Sequence, residues 1–288
     1  MTIWNLGSIN ADHTYRVDKL PVAGETLASR SLTVGLGGKG ANMSVAAARA
    51  AARVCHIGAV GEDGTKWRDR LLEYGVDTRF IAVADEPTAH AIITVDDDGE
   101  NQIILYSGAN GVIPENLIGS ALSEANAGDI FVTQNETNGQ YEAAKIAKEL
   151  GLRVMYAAAP FSADAIMALD GLIDILVLNE VEAGQLQDAT GKDVSELGIA
   201  QVLITKGADG VTVYDNGTRI DVPAVKVDAV DTTGAGDTFT GYFVAGLDRG
   251  FGLEQSLNLA VQAAAIMVTR HGTADVIPDL KDVQDAKL

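Results

Sequence analysis

An α/β architecture, a sheet with helices on both faces, is what the order of segments in this chain of 288 residues specifies. Short apolar, β-branched runs alternate with stretches that place helix formers at helical spacing. The alternation continues through most of the length, as in the βαβ units that build a parallel sheet. Hydrophobic residues make up 47% of the chain, enough to fill the core of one large domain, 1–288, with an appendage.

The expected strands are 2–9, 54–60, 130–133, 153–156, 173–178 and 202–205, and the expected helices between them are 42–52, 65–74, 140–150 and 179–188. Two regions break the rhythm. "HTYRVDKLP" with "LASRSLTVGL", and "AHAIITVDDDGENQIILYSG", read as strands with no helix between them. The second is a hairpin by its pattern, "IITV", a polar turn, then "QIILY". Together they suggest a small sheet at about 13–36 and 88–107, projecting from the edge of the main domain as a lid. Past Asp209 come the strands "GVTVYD" and "TRIDVP", then two long helices from about Ala235 and Leu253. The Ala-rich face of "AVQAAAIMV" suits close helix packing.

Charge narrows the partners. With 21 basic against 40 acidic residues, formally −19, the surface repels nucleic-acid phosphates and anionic lipid, so any phosphate recognition must be local. Neither nucleic acid nor membrane is expected as a partner. The single cysteine, Cys55, excludes an intramolecular disulfide framework and any multi-Cys metal site. "MTIWNLGSIN" lacks a basic leader, and no run approaches the length of a membrane span. A soluble cytoplasmic protein is the expectation. His13, His56, His90 and His271 lack H-x₃-H spacing for zinc, "DDDGE" lacks the full calcium-loop pattern, and no G-x-S-x-G is present.

Four segments carry residue types suited to chemistry. In "DTTGAGDTF", 231–239, a glycine turn opens a helix, preceded by "VDAV" with strand character. Such a turn presents unpaired backbone N–H groups at the positive end of the helix dipole, which favours an anion. Gly234 and Gly236 let the backbone approach a ligand closely. Asp237 then reads in two ways: an ordinary first-turn carboxylate, or a general base that takes a hydroxyl proton while the Ala235, Gly236 and Asp237 amides hold developing charge.

"GLGGKGAN" matches G-x-G-x-x-G through Gly35, Gly37 and Gly40. A dinucleotide fingerprint wants an acidic residue further on, for which Glu62 or Asp63 serves, although this match follows no first strand of a βαβ unit. A Walker loop is excluded, because Lys39 is followed by Gly40. What remains presents Lys39 and Asn42 beside bare backbone, suited to a polyhydroxylated ligand. "GSINADH" offers Asn10, which donates and accepts, and Asp12, which when ionised only accepts; a plain turn is the competing reading. "LNEVEAG" places Asn179 and Glu182 on one helical face at a strand end, either as a helix cap or as part of a magnesium–phosphate shell.

Taken together in chain order, "GSINADH", "GLGGKGAN", "LNEVEAG", then "TKGADG", and last "DTTGAGDTF", these segments resemble the ribokinase-like (PfkB) carbohydrate kinase family over nearly the whole chain. Within it the likeness is greatest to ribokinases, which share the "GSINADH" opening and an "AAAIMVTRHGT"-like final helix. The resemblance implies a three-layer α/β/α sandwich with a β-sheet lid, ATP as donor, Mg²⁺, and transfer of the γ-phosphoryl to a sugar hydroxymethyl group. It implies Asp237 as base and Gly234–Ala235–Gly236–Asp237 as anion hole, with the sugar against Asn10, Asp12, Gly38, Lys39, Asn42 and Glu136. Asn179 and Glu182 would face the phosphates and magnesium, and Thr205, Gly207 and Gly210 the nucleotide. A monovalent cation, K⁺, would involve Asp231 and the Thr233 carbonyl.

Two departures stand out. Ala157-Ala158-Ala159-Pro160 replaces the family's Asn-Pro-Ala-Pro, and Val276 in "GTADVIP" falls where the cation loop usually has Ser. Ribose is the leading acceptor. A nucleoside, deoxyribose, fructose or a keto-sugar keeps the same chemistry, although the lid offers few aromatics to stack a base, chiefly Tyr15 and Tyr106. A dinucleotide oxidoreductase and a silent sugar-binding regulator are the readings from other classes, and each leaves Asp237 without a task. An open lid edge would want covering, so a homodimer through the lid is expected.

Overall fold

The structure, a computed structural model, describes residues 1–286. Its main sheet has nine strands built around β1 (Ile3–Leu6). On one side of β1 lie β4 (Val54–Gly61) and β5 (Asp77–Ala84). On the other lie β8 (Ile130–Gln134), β9 (Arg153–Ala157), β10 (Ile175–Asn179) and β11 (Gln201–Thr205). All these pairings are parallel. The antiparallel β12 (Val211–Asp215) and β13 (Thr218–Val222) complete that side.

Alternation within the strands splits the core into two layers. Ile3, Val54 and Val60 pack beneath α1 (Lys39–Arg49), α2 (Thr65–Glu73), α7 (Ala235–Asp248), α8 (Leu253–Met267) and α9 (Leu280–Asp285). Trp4, Leu6, Cys55 and Ile57 face α3 (Glu115–Leu122), α4 (Gln140–Glu149), α5 (Ala163–Ala168) and α6 (Glu180–Thr190). The result is the α/β/α arrangement, with the strands buried on both faces as parallel sheets require.

A second sheet of four strands has the order β3-β2-β6-β7: β2 (Asn10–Arg16), β3 (Ser31–Gly37), β6 (Ala89–Val95) and β7 (Asn101–Tyr106). It begins at Asn10, before the 13–36 span expected, because the chain leaves β1 at Gly7-Ser8 and re-forms a strand at once. Asn10 and Asp12 therefore sit on a strand, and the turn reading is corrected. The G-x-G-x-x-G match is corrected too. Its strand, β3, belongs to this small sheet, with no βαβ crossover beside it, and Asp63 is taken by the Thr88 N–H and hydroxyl at 2.9 and 2.7 Å.

"VDAV" forms no strand; β13 ends at Val222 on the sheet's edge, and beyond it no further strand is available to pair. β5, α3, α5 and α9 had no clear sequence pattern. α5 and α9 have six residues each, too short for helical periodicity to declare itself.

At the C-terminal end of β1, backbone meets backbone. A Cβ on Gly40 would lie 2.4 Å from the Gly7 Cα, so only glycine lets α1 start so close to the exit of β1. Buried polar groups fix this approach. Asn5 Nδ2 donates to the Gly40 carbonyl and to Ser44 Oγ, each at 2.8 Å, while its Oδ1 accepts from Gln134 Nε2 at 2.9 Å. His56 donates Nε2–H to the Gly7 carbonyl at 3.0 Å, so its Nδ1 is left to accept the Ser44 hydroxyl at 2.8 Å. Burial pushes the imidazole down to about 4, so it stays neutral. Gly40→Ala is expected to lower stability by about 1–3 kcal/mol, the usual cost of overpacking a core, read as a reduced midpoint in urea unfolding.

Candidate active site

The candidate residues gather where the small sheet meets the C-terminal ends of the central strands, the position at which open α/β sheets bind ligands. Gly38, with φ of 95°, turns β3 into α1. This places Lys39 at the first helical position and Asn42 one turn on. Glu136, just past β8, lies against that helix start. Its Oε2 accepts the Lys39 N–H at 3.3 Å and the Ser8 hydroxyl, and Ser8 Oγ accepts the Gly40 N–H at 3.2 Å. A carboxylate at a helix N-terminus complements the free N–H groups and the dipole.

Asp12 points from β2 toward Gly37 of β3, where a Cβ would fall 2.0 Å from its Oδ2. Glycine at 37 is thus what makes room for the carboxylate. Asp237 is in the first turn of α7 and accepts from Asn42 Nδ2 at 2.9 Å. Asn42 is 5% exposed, and its Oδ1 has no partner among the described residues.

Asp12, Glu136, Asp237 and Lys39 interact electrostatically. Burial pushes Asp12 up to about 7, with Glu136 and Asp237 adding to the rise and Lys39 opposing it. Burial likewise holds Glu136 and Asp237 above the usual carboxylate range. Asp237, above all, holds the Lys39 ammonium above its ordinary value, against the effect of burial. Asp237 is half-buried, and a carboxylate held above its ordinary range accepts a proton more readily than a free one.

Asn179, Thr205, Gly207, Gly210, Ala235 and Gly236 line one cavity of about 420 Å³, together with apolar side chains. Val225, Val227 and Phe239 are among the latter; Phe239 closes the "DTTGAGDTF" segment, whereas nothing in the sequence marks the two valines as cavity residues. The cavity therefore runs up to the first turn of α7, whose Asp237 faces the Lys39–Asn42 side. Gly234 takes φ of 77° ahead of that turn. The Ala235 N–H already donates to the Thr232 carbonyl at 3.2 Å. Among the described residues the N–H groups of Gly234, Gly236 and Asp237 carry no such bond, so the free donors differ by one from those expected.

Asn179 and Glu182 form a capping box. Asn179 Oδ1 accepts the Glu182 N–H at 2.8 Å, and Glu182 Oε2 accepts the Asn179 N–H at 2.7 Å. The cap reading thus holds for both, and among the described residues Glu182 Oε1 has no hydrogen-bond partner. Asp231 spends Oδ1 on the Thr233 N–H at 2.9 Å and Oδ2 on the Gly272 N–H at 3.2 Å. Ser8, wholly buried between Glu136 and Gly40, belongs to "GSINADH", yet a serine beside Asn10 and Asp12 carries no local signal of this contact.

A model of the pfkB family carbohydrate kinases matches residues 2–280. The chain belongs to that family. This pfkB protein is 37% identical to a ribokinase of Haemophilus influenzae, over 96% of this chain and 95% of that one. It superposes on the ribokinase of Thermotoga maritima with a TM-score of 0.89 at 30% identity, covering 99% of this chain and 98% of the other. The Arabidopsis thaliana ribokinase complexed with ribose and ATP gives 0.86 at 30% identity, with 98% and 97% covered.

The raised Asp12 has a stability consequence in this pfkB kinase. The folded state keeps its proton up to about pH 7, whereas the unfolded chain releases it near 3.8. Its contribution to stability therefore falls as pH rises through that window. Asp12→Asn is expected to unfold at higher urea than the parent at pH 8, the advantage shrinking as pH falls toward 4.

Proposed function

We propose that this chain is an ATP-dependent ribokinase, moving the γ-phosphoryl of ATP to the hydroxymethyl group of ribose. The observation that carries the reading is the first turn of α7. Its Gly236 end borders the cavity that suits a nucleotide, and its Asp237 is bonded to Asn42 on the side that suits a sugar. Phosphoryl transfer needs positioning and charge stabilisation more than covalent chemistry. In this reading Asn10, Asp12, Gly38, Lys39, Asn42 and Glu136 hold the sugar. Asp237 takes the hydroxymethyl proton, and the free amides of Gly234, Gly236 and Asp237 stabilise the charge that develops on the transferred group. The ammonium of Lys39 balances the carboxylates around it. The small sheet acts as a lid that keeps water from the γ-phosphoryl.

Among the described residues no three ligating side chains converge on one point, so magnesium would be held mainly through phosphate oxygens and water. Glu182 Oε1, with Asn179 beside it, suits that outer shell. When bound with ATP, magnesium neutralises phosphate charge. A monovalent cation fits less well. Both Asp231 oxygens accept N–H groups, and the carbonyls of Asp275, Val276 and Ile277 accept from Arg49 or Arg270.

Asp237→Asn is expected to lower kcat by at least about 10³-fold, in keeping with loss of a general base, with ribose and ATP affinities retained. Near-normal turnover would remove Asp237 as the base. ADP release screened across pentoses, hexoses and nucleosides should be fastest with ribose, and equal with and without K⁺.

The small sheet also supports a homodimer. Its outer strand β7 is exposed at every position, with Ile103, Ile104, Leu105 and Tyr106 at 51, 65, 54 and 43%. Such an unpaired apolar edge suits pairing with the same edge of a second copy. Sedimentation should give a dimer for the parent chain and a monomer for Ile104→Lys.

A further inference from the structure

Asn110 lies in the turn after β7, outside every segment that marked the site in the sequence. Its side chain is 2% exposed, and both ends of its amide are bonded. Oδ1 accepts the backbone N–H of Ile9 at 3.0 Å, and Nδ2 donates to Asn10 Oδ1 at 2.8 Å. The turn itself is pinned. The Ala109 N–H donates to the Pro87 carbonyl at 2.9 Å, and the Asn138 N–H to the Asn110 carbonyl at 3.3 Å.

The directions of these bonds are not interchangeable. A backbone N–H can only donate, so the end of Asn110 that meets Ile9 must be its oxygen. Its NH₂ then faces Asn10, and an NH₂ can be met only by an oxygen. The Asn10 NH₂ is consequently turned the other way. Among the described residues it has no hydrogen-bond partner, yet it is absent from the fully enclosed unpaired atoms, so it keeps access to open space. Asn10 and Asp12 are two apart on β2 and so share a face of the small sheet.

We propose that Asn110 is a positioning residue, which passes the polarity of the Ile9 peptide to Asn10 and fixes that amide as a hydrogen-bond donor toward the sugar. The inference rests on the sugar-site reading above. Beside Asp12, which accepts from a hydroxyl when ionised, a fixed donor makes a complementary pair. Such a pair suits a polyol whose hydroxyls both give and receive hydrogen bonds, and it disfavours an analogue lacking one of them.

Asn110→Asp tests the relay. The aspartate retains an oxygen for Ile9 but sets a second oxygen against Asn10, whose amide must turn over and present its own oxygen to the sugar. The expected result is a sugar KM raised about tenfold or more, the worth of one good hydrogen bond, with kcat and the KM for ATP nearly unchanged. In an Asn10→Ala background the same substitution should add nothing. Asn10→Asp, with Asn110 intact, presents an oxygen directly and should raise the sugar KM as much, which keeps the test open if Asn110→Asp fails to fold. An unchanged sugar KM in Asn110→Asp, or an equal rise in both backgrounds, overturns the relay and leaves Asn110 a structural residue. A wild-type sugar KM in Asn10→Ala overturns the sugar-site reading itself, and the relay with it.

Discussion

Three carboxylates and one ammonium are held together in partly dry space, and the site depends on the cost of that arrangement. Asp12, Glu136 and Asp237 are each pushed toward the protonated form, chiefly by burial. One lysine cannot neutralise all three. The fold tolerates the excess because each carboxylate is given a partner or a recess: the α1 N-terminus and Ser8 for Glu136, Asn42 for Asp237, the missing side chain of Gly37 for Asp12. Ionised carboxylates only accept hydrogen bonds, so hydroxyl donors are the chemistry that complements them. Such a cost to folding stability is common where function requires groups that packing alone would exclude.

The polar groups below the cluster make the arrangement workable. Asn5, Ser44, His56 and Gln134 form hydrogen bonds whose donors and acceptors are assigned by two backbone carbonyls, those of Gly7 and Gly40. They hold the exit of β1 against the start of α1, where no side chain could intervene. A displacement there would move Lys39 and Asn42 of α1, and with them Glu136, which accepts the Lys39 N–H.

Much of this was readable in the chain because it depends on local chemistry. A glycine turn opening a helix declares itself at Gly234–Asp237 and at Gly38–Lys39, and the order of such turns carried the family resemblance. Alternating segments revealed the layers for the same reason. What was not readable depends on distant partners. Asn10 and Asp12 look like turn formers until β3 and β6 pair with them on either side. "VDAV" has strand composition but no neighbouring strand to accept it. Asn110 and Ser8 are ordinary polar residues whose importance comes from what touches them, and Ala235 looks like a free donor until Thr232 closes a turn onto it.

The bond from Asn42 to Asp237 spans 195 positions of the chain. Residues 1–236 hold every group proposed for the sugar except that last aspartate. A nascent or prematurely ended chain therefore lacks the proposed base, whatever it has already folded. α7 and the helices after it also complete, with α1 and α2, the cover of one face of the sheet. The proposed base and the helices that complete the core thus lie together, after residue 233, and a product cut short before them lacks both.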